Sequence, residues 1–467
     1  MDKAKPKGLN ISTQSFIAAI VVIFILMTAA YILTLIIPGG SYSRITDSSG
    51  NLLIDTSGEF TYVAGGIPFW RWILSPILVL GAAGNGTLIA VIAFLLVIGG
   101  IFNALDKSGL MKYMLDKITC HFCTVRYRLM AIIILFFMAL GAMIGSFEEC
   151  VPLVPIVVAL AINLGWDALT GLGMSLLAIG CGFASGVCNP FTVGVAQQLA
   201  GIPMFSGIWM RLLAFGFIYL LLLAFISLYA KKIEKPLGND YSINSLHADA
   251  KMDKGLLSFA LILGGGIACV MCSALIPTLQ DYTMIIVAVM FLVAGVVSCL
   301  ISGMSAKDMR NAAISGILSI LPAVAMILMA SSIKYTLETA KVLDTMLHSA
   351  VTLAGSLPKW AVTLFIYLVV LIMNFFISSG SAKAFMLIPL IIPLAQLFSV
   401  SPNLCILAFA FGDGFSNVLY PTNPVLLISL GLADISYSKW FKWSWKFQAL
   451  NLVLTCILLL IGLWIGY

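Results

Sequence analysis

Four charged residues stand inside runs of sequence that are otherwise apolar: Glu148, Glu149, Lys383 and Asp413. Each charge at the centre of a bilayer costs roughly 2.5–3.5 kcal/mol on the insertion scale, so it needs a partner or a wet site. Glu149 and Lys383 lie 234 positions apart, each in a short polar cluster that halts a long apolar run. The clusters are Gly145-Ser146-Phe147-Glu148-Glu149 and Ser378-Ser379-Gly380-Ser381-Ala382-Lys383. The acids suit an ammonium group, Na⁺ or a proton, and the lysine suits a carboxylate. The plainer alternative is one or more fixed ion pairs closing the two clusters against each other. Ser378, Ser379, Gly380 and Ser381 offer hydroxyls and unhindered amides to a carboxylate, or simply a flexible turn. Asp413, between Gly412 and Gly414, serves equally as a cation ligand or a helix cap.

After each cluster comes a Pro-spaced apolar run (151–164 and 387–397), and then an apolar segment broken near its middle. The breaks read Ser185-Gly186-Val187-Cys188-Asn189-Pro190 and Ser416-Asn417-Val418-Leu419-Tyr420-Pro421-Thr422-Asn423. Backbone in hydrocarbon must satisfy its own hydrogen bonds, so a broken helix persists only inside protein or beside a watery cavity. Proline stops the helix and removes a donor. The freed amides then suit an anion, and the freed carbonyls suit Na⁺ or a proton donor. Ser185, Asn189, Thr192, Asn417, Thr422 and Asn423 add side-chain ligands, as does Ser146 in the first cluster. A single break would read as a structural proline kink. Matched breaks in two halves point instead to a transporter binding site.

Elements able to position such groups must be membrane helices. Hydrophobic residues make up 61% of the 467-residue chain and charged residues 9%, with mean hydropathy +1.10. A soluble domain averages roughly 25% charged residues, so this chain could not cover a water-facing surface. The net charge of +6 sits in short loops and helix ends, where it sets orientation rather than marking a nucleic-acid surface. The ten cysteines fall mostly in apolar segments and read as buried thiols rather than a disulfide framework.

Spans about 20 residues long are expected at 15–37, 87–104, 209–229, 256–276, 284–303, 311–333 and 447–466. Residues 39–66 read as a short strand pair, 68–83 as interfacial or re-entrant, and 105–127 and 334–357 as amphipathic surface helices. The first repeat, 1–232, holds a re-entrant hairpin at 129–164 and a broken helix at 168–200. A cytoplasmic linker at 233–254 leads to the second repeat, 255–467, with a hairpin at 360–399 and a broken helix at 403–432. Lys3, Lys5 and Lys7 start the chain inside, and the later basic clusters give the two repeats opposite topology. The first apolar run exceeds a signal peptide in length and reads as a span. The fold class expected is an all-α polytopic membrane protein made of two inverted repeats.

Other features carry little. Cys120-His121-Phe122-Cys123 has no second ligand pair, His247 and His348 read as solvated, and Trp440, Trp443 and Trp445 read as an interfacial anchor beside lysines. No cofactor or metal is indicated, apart from Na⁺ or H⁺ as a coupling ion. There is no GxxxxGK[ST] phosphate loop. An intramembrane enzyme would need HExxH or a Ser/His pair at depth, and His is absent from every expected span. A channel would need a continuous polar stripe, whereas polarity here gathers at the breaks.

Phe147-Glu148-Glu149, Asn189-Pro190-Phe191, Ser378-Ser379-Gly380-Ser381 and Phe411-Gly412-Asp413-Gly414-Phe415-Ser416-Asn417 with Pro421-Thr422 together resemble the YfcC/DcuC family. These C4-dicarboxylate anaerobic carrier-like proteins belong to the ion-transporter superfamily. The resemblance covers nearly the whole chain. It implies inverted repeats with hairpins, frequent homodimers in the inner membrane, and C4-dicarboxylates or basic amino acids as substrates. The binding elements it implies are the two tips and two breaks. Lys383 matches no family motif. Two acids in one tip favour a cationic amino acid such as arginine or ornithine, one lysine in the other favours a carboxylate, and an α-amino acid satisfies both. The expectation is a secondary transporter, possible as an antiporter, working by alternating access.

Overall fold

The computed structural model describes residues 13–46, 52–54, 59–82, 86–143, 145, 147–203, 206–235, 249–274, 283–354 and 357–467. These are helical nearly throughout. The first half holds α1 (Thr13–Ile36), the strands β1 (Gly40–Ser41), β2 (Arg44–Thr46), β3 (Leu52–Ile54) and β4 (Thr61–Tyr62), and the short helices α2 (Phe69–Ile73) and α3 (Ser75–Leu78). It continues through α4 (Gly86–Lys107), α5 (Leu110–Phe122), α6 (Arg126–Met143), α7 (Val154–Asn163), α8 (Ala168–Leu172), α9 (Ala178–Ser185), α10 (Val195–Leu199) and α11 (Ile208–Ile233). The second half holds α12 (Ala250–Ala274), α13 (Thr283–Ile301), α14 (Ala306–Thr339), α15 (Val342–Ala354), α16 (Lys359–Phe376), α17 (Gly380–Leu397), α18 (Pro402–Asn417), α19 (Pro424–Leu432) and α20 (Tyr437–Trp464).

Among the described residues, seven helices are long and apolar enough to cross a membrane. Their outward faces carry large apolar side chains, among them Leu220, Leu318 and Leu452. In water such a belt would be a large unfavourable exposure, and against lipid it is the appropriate surface. Helices α4, α12, α13 and α14 pack with one another, and α1 lies along α14. Close approach there rests on small residues: a Cβ on Gly316 would lie 2.2 Å from the Gly99 carbonyl oxygen. Around the two breaks α9 packs on α6, α11 and α18, and α14 reaches α19.

The strands form two antiparallel pairs, β1 with β4 and β2 with β3, as the turn-rich composition of 39–66 leads one to expect. This segment docks on the corner between α14 and α15. Gly40 N–H donates to the Lys341 carbonyl at 2.9 Å, and one Arg44 guanidinium nitrogen reaches both Asp344 oxygens at 2.9 and 3.0 Å.

Three expectations need correction. The amphipathic helix expected from 334 begins at Val342, because α14 runs on as one 34-residue helix to Thr339. Lys334 and Glu338 do not end it; they pair across one turn at 3.3 Å, which supports a helix. The corner comes where Lys341 turns to φ 56°. His348 is not simply solvated. Its ring stacks on Phe60 at 4.0 Å and hydrogen-bonds the Tyr42 hydroxyl at 3.0 Å. Trp440 is no interfacial anchor either, being fully buried with its indole N–H donating to the Val418 carbonyl at 2.8 Å. Trp443 packs on Phe225 and Tyr229, and of the three only Trp445 is exposed.

Candidate functional site

The second tip is built by capping. Helix α16 ends at Phe376, and the Ser379 hydroxyl caps α17 by accepting from Ala382 N–H at 3.4 Å. That start places Lys383 in the first turn of α17, at the positive end of the helix dipole. A cation there is disfavoured and needs an acid. Asp413 on α18 supplies it: Lys383 Nζ lies 2.5 Å from Asp413 Oδ1, and both side chains are fully buried.

Asn374 fastens this pair to the second break. Its carbonyl oxygen accepts from Lys383 Nζ in a short contact. Its amide nitrogen lies 3.0 Å from the Asp413 carbonyl, 2.6 Å from Ser416 Oγ and 3.0 Å from Asn417 Oδ1. Asn423 Nδ2 donates to the same Asn417 oxygen at 3.0 Å. The Asn423 carbonyl oxygen then caps α19, accepting from Val425 and Leu426 N–H at 2.9 and 3.4 Å. Asn followed by Pro424 at the first helical position is a strong helix start. The break is therefore a designed stop and restart.

The first break uses related parts. Helix α9 ends with Gly186 in the left-handed region (φ 51°), donating to the Gly182 carbonyl. Only glycine takes that conformation without strain. Cys188 N–H donates to the Ala142 carbonyl at 2.9 Å, tying the break to the end of α6. The Asn189 side-chain oxygen accepts from Thr192 N–H at 3.2 Å. Asn189 also lies against the first tip, where a Cβ on Gly145 would come within 2.0 Å of its Oδ1. A single π-helical turn at Pro190–Gly194 follows the gap directly and another at Gly173–Leu177 precedes α9; such turns are frequent at functional sites.

The breaks meet. A Cβ on Gly414 would lie 2.2 Å from Ala184 Cα, so α9 and α18 cross at backbone contact. Gly380 of the second tip sits beside both breaks: its added Cβ would meet Thr192 Cγ2 at 2.4 Å and Asp413 Oδ2 at 2.6 Å. Asp413 Oδ2, Thr192 Oγ1 and Thr422 Oγ1 are buried with no hydrogen-bond partner among the described residues. Such atoms in a native fold need an explanation; beside Gly380, Asp413 and Thr192 offer an anionic oxygen and a hydroxyl to a cationic or polar group.

Thr192, Gly380, Lys383, Asp413, Asn417 and Asn423 are thus brought together, with Asn189 and Thr422 in the same pair of breaks. Ser185 is buried but donates within its own helix, to the Gly182 carbonyl at 2.7 Å. Ser378 and Ser381 are half-buried at the tip, and Ser379 is its exposed cap. Ser146 lies outside the described residues, as do the side chains of Glu148 and Glu149, whose backbone forms a 3₁₀ turn at Glu148–Leu153. Two residues were missed. Asn374, a lone amide in an apolar run, was available as a signal. Arg211 opens α11 and is fully buried, its Nε donating to the Val187 carbonyl at 3.3 Å.

Among known proteins, the chain is 28% identical over 405 residues to the "Putative basic amino acid antiporter YfcC" of Escherichia coli K12, covering 82% of this chain and 79% of the relative. Of solved structures, it is similar to the Alcanivorax borkumensis YdaH transporter, with TM-score 0.47, 16% identity, and 97% and 99% of the two chains covered. A second is Neisseria gonorrhoeae MtrF, described with a class of antimetabolite efflux pumps, with TM-score 0.46, 14% identity, and 96% and 95% covered. The C4-dicarboxylate anaerobic carrier family matches residues 16–463, nearly the full length, and the chain belongs to that family.

Proposed function

We propose that this chain is a secondary active transporter that exchanges a basic α-amino acid, such as arginine or ornithine, through alternating access. The observation that carries the reading is the buried Lys383–Asp413 pair. Lysine 383 is neutralised within its own half, so it does not stand as a free cation for a second substrate carboxylate. Two acids remain in the sequence of the first tip, Glu148 and Glu149, and Asp413 keeps one oxygen unpartnered. That balance favours a substrate bearing a positive charge. The name of the Escherichia coli relative agrees with it.

A C4-dicarboxylate carrier is the second reading, favoured by the description of the family. Polar groups confined to two breaks support a carrier over a channel. Na⁺ or a proton at the helix breaks is the proposed coupling ion. The proposed setting is the inner membrane, with the N-terminus inside and possible assembly as a homodimer.

Proteoliposomes loaded with unlabelled L-arginine or succinate test the reading. The expected result is saturable uptake of labelled L-arginine that requires L-arginine inside. Saturable exchange of succinate alone would select the second reading, and unsaturable current would make the protein a channel.

A further inference from the structure

The long helix after each broken helix, α11 in the first half and α20 in the second, sends one buried N–H donor back to the break, and the two donors differ. In the second half Trp440 gives its indole N–H to the Val418 carbonyl at 2.8 Å. In the first half Arg211 gives Nε–H to the Val187 carbonyl at 3.3 Å. The donors occupy corresponding places in the two halves, each the fourth residue of the long helix that follows the broken one. An indole has one donor, and that bond exhausts it. A guanidinium has five.

Arg211 is fully buried, and its guanidinium has the neutral Tyr467 phenol to interact with but no carboxylate among the described residues. Its polar neighbours include Cys188 and the Tyr467 phenol, and that phenol donates to the Gly207 carbonyl at 2.6 Å. A buried charge left uncompensated is strongly unfavourable. Capping a freed carbonyl does not require it, since neutral Trp440 does the same work in the other half.

We propose that Arg211 is the carboxylate anchor of the transported substrate, its two terminal nitrogens receiving the two carboxylate oxygens side by side. The planar guanidinium fork matches a carboxylate in this way, and an ammonium does not. Val187 is two residues from Asn189 and five from Thr192, so the anchor belongs to the break that meets Gly380 and Asp413. One cation with no carboxylate partner among the described residues suits one substrate carboxylate, which is the arrangement an α-amino acid needs. The inference rests on the carrier reading above and assigns the substrate's anionic end.

The test uses full-length protein in proteoliposomes, exchanging labelled L-arginine or labelled succinate against competing L-argininamide or succinamide. In the wild type, removing the carboxylate should weaken competition by more than about tenfold, because a site built around a charged hydrogen bond rejects the analogue lacking it. In Arg211→Gln, which keeps a neutral donor for Val187, acid and amide should compete within about threefold of each other. Arg211→Lys keeps the charge but loses the fork, and should raise KM by about tenfold with turnover little changed. Size-exclusion and thermal transitions confirm folding, and if the glutamine variant fails to fold, the KM of the lysine variant decides. An unchanged acid-to-amide ratio in Arg211→Gln, or an unchanged KM in Arg211→Lys, would reduce Arg211 to a backbone cap. A wild type that exchanges neither acid would overturn the carrier reading itself, and the anchor with it.

Discussion

In the second half, Lys383 and Asp413 neutralise each other within 2.5 Å, and Asn374 binds the pair to the break at Ser416 and Asn417. In the first half, the break is capped by Arg211, whose guanidinium meets the neutral Tyr467 phenol but no described carboxylate. The backbone devices are shared: a helix stop, an Asn-Pro step and a returning donor from the next helix. The electrostatics are not. One half closes its charge internally and acts as a fixed wall. The other holds a cation without a described carboxylate partner, which in our proposal the substrate's carboxylate completes. A carrier needs both, since a site compensated throughout would bind nothing, and one uncompensated throughout would not fold.

The largest expected effect breaks the closed half. Lys383→Met leaves Asp413 buried and unpaired, which should destabilise the protein by about 3–5 kcal/mol. Adding Asp413→Asn should recover most of that loss. Thermal unfolding in detergent measures both, and a single variant as stable as wild type would mean that the pair does not lock this half.

Gly380→Ala tests the contact between the halves. Its new Cβ would fall 2.4 Å from Thr192 Cγ2 and 2.6 Å from Asp413 Oδ2. Overpacking of this kind typically costs about 1–3 kcal/mol. Exchange should fall sharply while membrane insertion stays normal, and wild-type exchange rates would show that the tip does not close on Thr192.

The smallest effect sharpens the contrast between the two returning donors. Trp440→Phe removes one hydrogen bond to the Val418 carbonyl and should cost about 1 kcal/mol. Because that indole carries no charge, the acid-to-amide preference of exchange should not move. A lost preference in Trp440→Phe would show that the two donors share one role.

Much of this arrangement was legible in the sequence because it depends on residues that cannot be used otherwise. Gly186 and the Asn-Pro steps break helices whatever surrounds them, and charged residues in apolar runs announce themselves. The tips, the breaks and the strand pair followed from such residues. What the sequence concealed were relations between distant residues. Lys383 appears as a free cation until α18 brings Asp413 to it. Asn374 is uncharged, so one amide among Ile372, Met373 and Phe375 raised no alarm, yet it joins four groups. Arg211 stands two residues after Trp209 at the start of an apolar run, where arginine commonly snorkels to water, so nothing marked it as buried. Trp440 and Trp443, beside lysines, misled as interfacial anchors, whereas Trp445 is exposed. Composition places such residues near a surface, and only packing shows which ones turn inward.

The central claim is that the two breaks form one substrate site, and exchange in Asn189→Ala and Thr422→Ala tests it most directly. Asn189 orients Thr192 N–H in the first break, and Thr422 brings an unpartnered hydroxyl to the second. Both variants, reconstituted at wild-type density, should insert normally and lose exchange. Wild-type exchange in both would contradict the account and place the site elsewhere.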